Sequence, residues 1–471
     1  MNDNVIKLSA RERMLDAELG EVLSIPEASN ARHTTGSSIT RLASWRWSRV
    51  AICLVAIGAV TAVNWLNDAS RQTAQSPTFD AVAGPWRAWH SLQFQSRTIT
   101  NTEQLQTERS RAITLGAGAT TELFAAVLRQ PQLEHLTISR DLQDVPWEVF
   151  DRHANVQALS LFGRKLQSEQ IRSLRALPNL TRLGISFRGA QLDQAAGRAI
   201  AELPKLRMLC VSGSATPAGI MELTNLPDLD TLAVSVPTTF HMDVVHSINK
   251  LPSLRALHLT ELYGIKMEPS WLNALAKMPK LEVLNLDDAT IGDAGIGALP
   301  PNLVALQLPT LSDVTPAGLA GLARLKQLKR LGFSRSLPTK LAAARAELAK
   351  TCDLERLDCN YEWPDRKLWD ALPHAASLRR LTVCRMGDEE LTAEAMAPCK
   401  RITQLTEVDV RLTQVPQPQA LQPLRELPNL RTVRICVDVG RPGVVAPTPA
   451  QITALERALG ADIQTVFVPY W

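Results

Sequence analysis

With 471 residues, 45% of them hydrophobic, and a formal net charge of only +4, the chain is long enough to bury a large core. It carries no run of basic residues interleaved with aromatics, which excludes the electrostatic footprint of a nucleic-acid-binding protein. Seven cysteines in a chain of this length do not make the disulfide-dense pattern of a small secreted domain.

Residues 1–49 read as a tail, partly disordered, with one short helix. In SARERMLDAELGEVL, Ser9 and Glu12 stand at capping-box spacing, and Leu15, Leu19, Val22 and Leu23 fall on one helical stripe. The run VAICLVAIGAVTAVNWL, residues 50–66, has no charge and only Thr61 and Asn64 as polar interruptions, with Trp45, Trp47 and Trp65 near its ends. That pattern predicts a single transmembrane helix close to the minimum spanning length. Arg32, Arg41, Arg46 and Arg49 precede the run while only Arg71 follows closely, so the positive-inside rule places the N-terminus in the cytoplasm. A cleaved signal peptide ending near Val60 and Ala62 is the competing reading, but 49 residues are too many for its charged leader, and an uncleaved signal anchor is expected. Residues 67–85 are small, polar and proline-containing, as a flexible linker is. Residues 86–471 then form an exported domain, periplasmic or extracellular, as expected of a bacterial envelope protein.

Within that domain the phrase L-x-x-L-x-L recurs. Its second apolar position falls at Leu136, Leu159, Leu183, Leu209, Leu232, Leu257, Leu284, Leu306, Leu331, Leu357, Leu381, Val408 and Val433, at intervals of 22 to 27 residues. A period of that size marks a solenoid of stacked coils. Alternating apolar residues, as in Leu281-Glu-Val-Leu284-Asn-Leu286, make a short strand with its leucines inward. Helical stretches follow. Three open on Thr216-Pro217, Thr315-Pro316 and Thr448-Pro449, a capping residue before a proline at the first helical position. Leu177-Pro178, Leu203-Pro204, Leu226-Pro227, Leu251-Pro252, Met278-Pro279 and Leu427-Pro428 end helices just before the next strand.

These thirteen matches resemble the leucine-rich repeat family. The resemblance implies an α/β horseshoe, with parallel strands on a concave face and helices on a convex one. Segments such as IGDAGIGAL and TPAGLAGL look like those of ribonuclease-inhibitor-like and F-box-associated repeats. The ninth motif position departs from the family: the usual Asn or Cys is replaced by Arg188, Ser214, Ala289, Glu362 and others. Ser110, Ile113 and Leu115 make a weak first coil, preceded by Trp89, Leu92 and Phe94 as a cap. Ile463, Val466 and Val468 close the far end after the insertion GRPGVVAPTPA.

Chemistry-bearing motifs are sparse, and neither a cofactor nor a metal is expected. His241, Asp243 and His246 lack zincin spacing, and GAGAT at residues 116–120 lacks the Gly-Lys-Ser/Thr of a phosphate loop. Cys359 takes an inward strand position, and Cys384 and Cys436 lie two strands apart, too far for a disulfide. The candidate binding surface is the ladder Arg330, Arg356 and Arg380, reinforced by Lys329 and Arg379 and continued by His258, Asn285 and Gln307. The N-terminal half offers small Ser160, Gly184, Cys210 and Ala233 instead. Either Glu355, Asp358, Glu407 and Asp409 neutralise the arginines locally, leaving a solvated mixed-charge face, or the ladder recognises an acidic protein partner. The function expected is a non-enzymatic, membrane-anchored recognition or scaffold module. The alternatives are a structural envelope spacer or an enzyme with an unrecognised site.

Overall fold

The computed structural model describes residues 97–99, 101–107, 111–116, 119–139, 147, 150, 155–163, 167–235, 242–260, 262, 265–286, 289–333, 337–359, 363–385, 390–438 and 447–470. The chain divides into two compact units, Met1–Leu54 and Val55–Trp471, and every described residue belongs to the second. The tail, the run 50–66, the linker 67–85 and the cap residues Trp89, Leu92 and Phe94 lie outside the described residues. Among those that are described, no helix is long and apolar enough to cross a membrane.

One parallel sheet holds sixteen strands in chain order. It begins with β1 (Arg97–Ile99), β2 (Ala112–Leu115), β3 (His135–Ser139), β4 (Ala158–Gly163) and β5 (Arg182–Leu192). It continues with β6 (Met208–Ala215), β7 (Thr231–Ser235), β8 (Ala256–Thr260) and β9 (Val283–Asn285). β10 (Thr290–Gly292), β11 (Ala305–Leu308), β12 (Thr310–Asp313) and β13 (Arg330–Phe333) follow; β10 and β12 pair separately, whereas β11 and β13 join the large sheet. β14 (Arg356–Cys359), β15 (Arg380–Arg385), β16 (Glu407–Leu412), β17 (Thr432–Asp438) and β18 (Gln464–Tyr470) complete it.

The thirteen leucine and valine positions read from the sequence form one unbroken row across the sheet, Leu136 beside Leu159 and so on to Val408 beside Val433. All are buried, in one core with helix residues such as Leu319, Leu322, Leu341 and Leu348. The helices therefore cover this face. Ala256, Val283 and Ala305, one residue earlier in their strands, form a separate apolar cluster on the opposite, helix-free face. The solenoid architecture expected from the repeat pattern is thus present.

Local chemistry sets the helix starts. Thr216, Thr315 and Thr448 each accept a backbone N–H, from Gly219, Gly318 and Gln451, and a proline follows each cap. The glycine in TPAG has its own reason: a Cβ on Gly219 would lie 2.0 Å from the Leu192 carbonyl oxygen, and one on Gly197 would lie 2.3 Å from that of Gly219. Helix Gln194–Ala201 and helix Pro217–Glu222 approach too closely for any side chain there. The missing Asn at the ninth position is also accounted for. Leu262, Ala289 and Leu311 fill that place as buried apolar groups. Backbone pairing among Ile265–Met267, β10 and β12 supplies the turn hydrogen bonds instead: Thr290 donates to Ile265, Met267 to Thr290 and Thr310 to Ala289, at 2.8 to 3.0 Å.

Both ends depart from the sequence reading. β1 adds a coil before Ile113 and Leu115, which lie buried in β2 as expected. At the far end the register is shifted by one residue: Thr465 aligns with Val433 and Phe467 with Ile435, so Phe467 is buried and Val466 faces the helix-free side. The physical reason is size. Phe467 is the bulkiest apolar side chain available, and Gly460, at φ +94°, turns the chain so that it enters the core.

Close helix approach generates a pair of opposite outcomes. Gly219→Ala should lower the unfolding free energy by about 2 kcal/mol or more, because backbone rather than a flexible side chain blocks the new methyl. Gly297→Ala, in a helix with nothing within 4 Å of the added Cβ, should raise it by about 0.5–1 kcal/mol. Urea midpoints of the two variants falling on the same side of the parent would contradict this packing.

Candidate functional site

The helix-free face carries rows of side chains from adjacent strands, since residues two apart in a strand share a face; two long rows run along it, and Cys384, Arg411 and Cys436 start a third at the C-terminal strands. One row runs Thr231, Ala256, Val283, Ala305, Arg330, Arg356, Arg380, Glu407 and Thr432. The other runs Ala233, His258, Asn285, Gln307, Gly332, Asp358, Thr382, Asp409 and Arg434. The predicted arginine ladder is thus in register, but His258, Asn285 and Gln307 do not continue it: they lie in the second row, in line with Gly332 and Asp358, and Ala305, Val283 and Ala256 precede the arginines in the first.

The arginines are not free. Arg330 and Arg356 are only 6% and 4% exposed, and both aim Nε at the fully buried Asp358, at 2.8 and 2.9 Å. The Thr382 hydroxyl also donates to Asp358. Arg380 donates through Nη2 to Asp409 at 2.7 Å and lies 3.4 Å from Glu407. Arg434 holds Glu407 at 2.7 Å and Asp409 at 3.3 Å. Four guanidiniums and three carboxylates therefore form one lattice across β13–β17. Glu355 stands apart, 3.7 Å from Lys329, whose ammonium also pairs with Asp353. Lys329, immediately before β13, is half-buried, and Arg379 is exposed, donating to the Ala376 and Leu378 carbonyls. Neither joins the lattice.

Burial and charge act in opposite directions here. Burial lowers the Arg330 pKa to about 10 although Asp358 pulls it up, so the guanidinium stays charged at neutral pH. Burial pushes Asp409 up, but the fields of Arg380, Arg434 and Arg356 outweigh it and bring the carboxyl to about 2. Truncating one member strands its partner: removing a single side of a buried pair typically costs about 3–5 kcal/mol. Replacing Arg330 and Arg356 with Ala would leave Asp358 buried without its two cations, a defect of stability before it is one of recognition.

Next to the lattice, Gln307 lies over Gly332, where a Cβ would meet its Oε1 at 2.0 Å. His258 is 2% exposed, and both ring nitrogens are buried without a hydrogen-bond partner. Desolvation first, and the field of Arg330 second, bring its pKa down to about 3. Arg434, Thr382 and Gly332 escaped the sequence reading. The signal that could have found the first two was the alternation Arg356-x-Asp358, Arg380-x-Thr382, Glu407-x-Asp409 and Thr432-x-Arg434, which puts every second residue on one face.

The discounted motifs fall elsewhere. Asp243 and His246 lie on helix Met242–Ile248, and His241 is outside the described residues. In GAGAT, Thr120 caps helix Thr121–Leu128 by accepting the Leu123 N–H at 3.2 Å. Cys359 is buried and its thiol is pushed up to about 11; Cys210, on the helix-free face, is pushed up to about 12. Cys384 and Cys436 flank Arg411 on three consecutive strands and are unbridged.

Neither a protein-family model nor a curated protein matches the chain. Among solved structures it is similar to a leucine-rich-repeat protein of Leptospira interrogans, at 15% identity over 79% of this chain and 99% of that one, with a TM-score of 0.33. So distant a likeness carries no argument, and the architecture rests on the strand register above.

His258 yields a pH dependence with a definite sign. Its folded-state pKa lies below the unfolded value of about 6.5, so as pH falls through 6.5 the unfolded chain takes up a proton that the folded chain refuses until about pH 3. Stability is therefore lost on acidification. Between pH 7.5 and 5 the parent should lose about 2 kcal/mol more unfolding free energy than His258→Leu. Parallel stability curves for the two proteins would show that the imidazole is not held neutral.

Proposed function

We propose that this chain is a membrane-anchored protein-recognition module. Residues 1–49 lie in the cytoplasm, residues 50–66 cross the membrane and the repeat domain is exported, with its partner at the C-terminal half of the helix-free face. The observation that carries the reading is the exposure gradient in the lattice. Arg330 and Arg356 are buried, whereas the Arg380, Arg434 and Glu407 side chains are 16%, 22% and 28% exposed. The buried members hold the rim members in fixed positions, so a partner loses little side-chain entropy in meeting them. Arg380 and Arg434, at the more exposed end of the lattice, suit a partner that offers a carboxylate. The role is binding rather than catalysis. A structural spacer has no use for a fixed, partly exposed charge pattern.

Two measurements test the two halves of this reading. Arg434→Ala in the full detergent-solubilised chain should reduce partner capture about tenfold, or about 1.4 kcal/mol, and Arg434→Lys by less. Capture by the parent should also weaken as salt rises. Undiminished capture by Arg434→Ala would remove this face from recognition and favour the spacer. For topology, protease added to intact spheroplasts should digest the repeats, and complete protection would contradict their export.

A further inference from the structure

A further row of residues stands immediately ahead of the first paired residues of the strands, from Arg111 before β2 to Arg431 before β17. Its backbone is continuous: at each coil the N–H of the row's residue donates to the carbonyl of the one before, at 2.7 to 2.9 Å. The charges along this rim are matched. Arg111 pairs with Glu134 at 3.2 Å, Arg207 with Asp230 at 2.5 Å, Arg255 with Glu282 at 2.6 Å and Lys329 with Glu355 at 3.7 Å. In each case the acid stands one coil after the base, about 4.8 Å away at the backbone, where opposite charges attract. Such exposed pairs contribute little stability, but they leave no base without its acid.

The matching stops at β15. Arg379 is the next base of the row, and one coil on, where an acid followed each earlier base, stands Thr406. Arg431 comes after Thr406, and Ile463 lies beside it. Arg379 donates to the carbonyls of Ala376 and Leu378 in its own loop, and the Arg431 side chain makes no hydrogen bond or ion pair; neither meets a carboxylate among the described residues. Both are exposed. Two guanidinium-bearing residues therefore stand two strand spacings apart, about 10 Å at the backbone, at the end of the rim nearest Arg380 and Arg434.

We propose that Arg379 and Arg431 hold two carboxylates of an extended acidic segment of the protein partner, which crosses from β15 to β17 along this rim. The inference rests on the reading of the adjoining face as a recognition surface. A guanidinium presents parallel N–H groups that match a carboxylate, and Arg379 is already oriented by its loop carbonyls. An extended peptide advances about 3.3 Å per residue, so acids three or four residues apart span the gap. Earlier along the rim each base has its own acid, and a partner's carboxylates gain nothing there. An anionic lipid surface fits less well. Lipid-binding segments cluster about four to eight bases, whereas this rim sets Glu355 beside Arg379, and Glu407 directly follows Thr406.

The full chain in a neutral detergent is titrated against a fluorescent octaglutamate peptide, with octaglutamine as the uncharged probe. The parent should bind octaglutamate and not octaglutamine. Arg379→Ala combined with Arg431→Ala should weaken octaglutamate binding about tenfold at fixed salt, with the thermal midpoint near the parent's. Arg207→Ala combined with Arg255→Ala removes equal charge from the same row at paired positions, and should change binding by less than about twofold. Equal loss in the two double variants, undiminished binding by the first, or tighter binding of short-chain phosphatidylserine than of octaglutamate each overturns the proposal. Arg434→Ala, titrated in parallel, separates the two claims. Weaker octaglutamate binding with Arg434→Ala but not with the rim variant overturns the rim contact and keeps the face. Weaker binding with the rim variant, beside undiminished partner capture by Arg434→Ala, keeps the rim contact and overturns the face.

Discussion

Everything in this molecule depends on the return of the chain, once per coil, to the same register in a parallel sheet. A single coil has too few apolar residues to bury a core, so Leu257 finds its neighbours in Leu232 and Leu284 rather than in its own coil. The helical side absorbs the variation in interval. The segment before β14 contains a ten-residue helix and that before β16 a four-residue one, yet both return their strands to register. The same constraint governs the other face. With strands about 4.8 Å apart, a residue repeated at one motif position becomes a contiguous row. Arg330, Arg356 and Arg380 are forced together in this way, and the fold tolerates them because Asp358 and Asp409, two residues on from their strands' first positions, lie between the guanidiniums.

Much of this was legible in the sequence, and the reasons for the gaps are specific. Leucine spacing gave the strand row because the burial of each position is decided by its neighbours in the repeat. Thr-Pro gave the helix starts because capping is a local interaction over three residues. The ladder itself could be read, but its burial could not. Whether Arg356 is solvated or sunk depends on which rotamer reaches Asp358, and side chains on three strands settle that jointly. Gly332 needed the length of Gln307 to make sense, and His258 needed knowledge that no donor or acceptor comes within reach of its ring. At the far end, Val466 and Val468 fitted the apolar pattern as well as Thr465 and Phe467 do. A turn at Gly460 decided between two registers that composition left equal. The charged tail and the run 50–66 remain a sequence argument alone.

The lattice illustrates how burial redistributes work among chemically identical side chains. Arg330 and Arg356 share a desolvated carboxylate and cannot offer their guanidinium edges elsewhere without abandoning it. Arg434, one end of the same network, keeps about a fifth of its side chain in solvent. The deeper pairs contribute geometry and the outer ones contribute contact. A lattice of this kind need not add net stability, since desolvation can cancel the Coulomb gain, but it fixes where charge sits on an otherwise repetitive surface. The N-terminal half of the same face mixes His135, Arg182 and Met208 in one row with the small Ser160, Gly184, Cys210 and Ala233 in the other, without a comparable run of paired charges among the described residues.

A solenoid's ends pose a problem that its interior never meets. The last helix, Pro449–Leu459, has eleven residues, more than any other described helix, and a capping box from Thr448 to Gln451. Ile452, Leu455 and Leu459 are buried on it, so side chains alone close the apolar core at this end. The strand beneath that helix is closed as well: Thr465 and Phe467 are only 5% and 3% exposed as whole residues, so they keep their backbone as well as their side chains out of solvent.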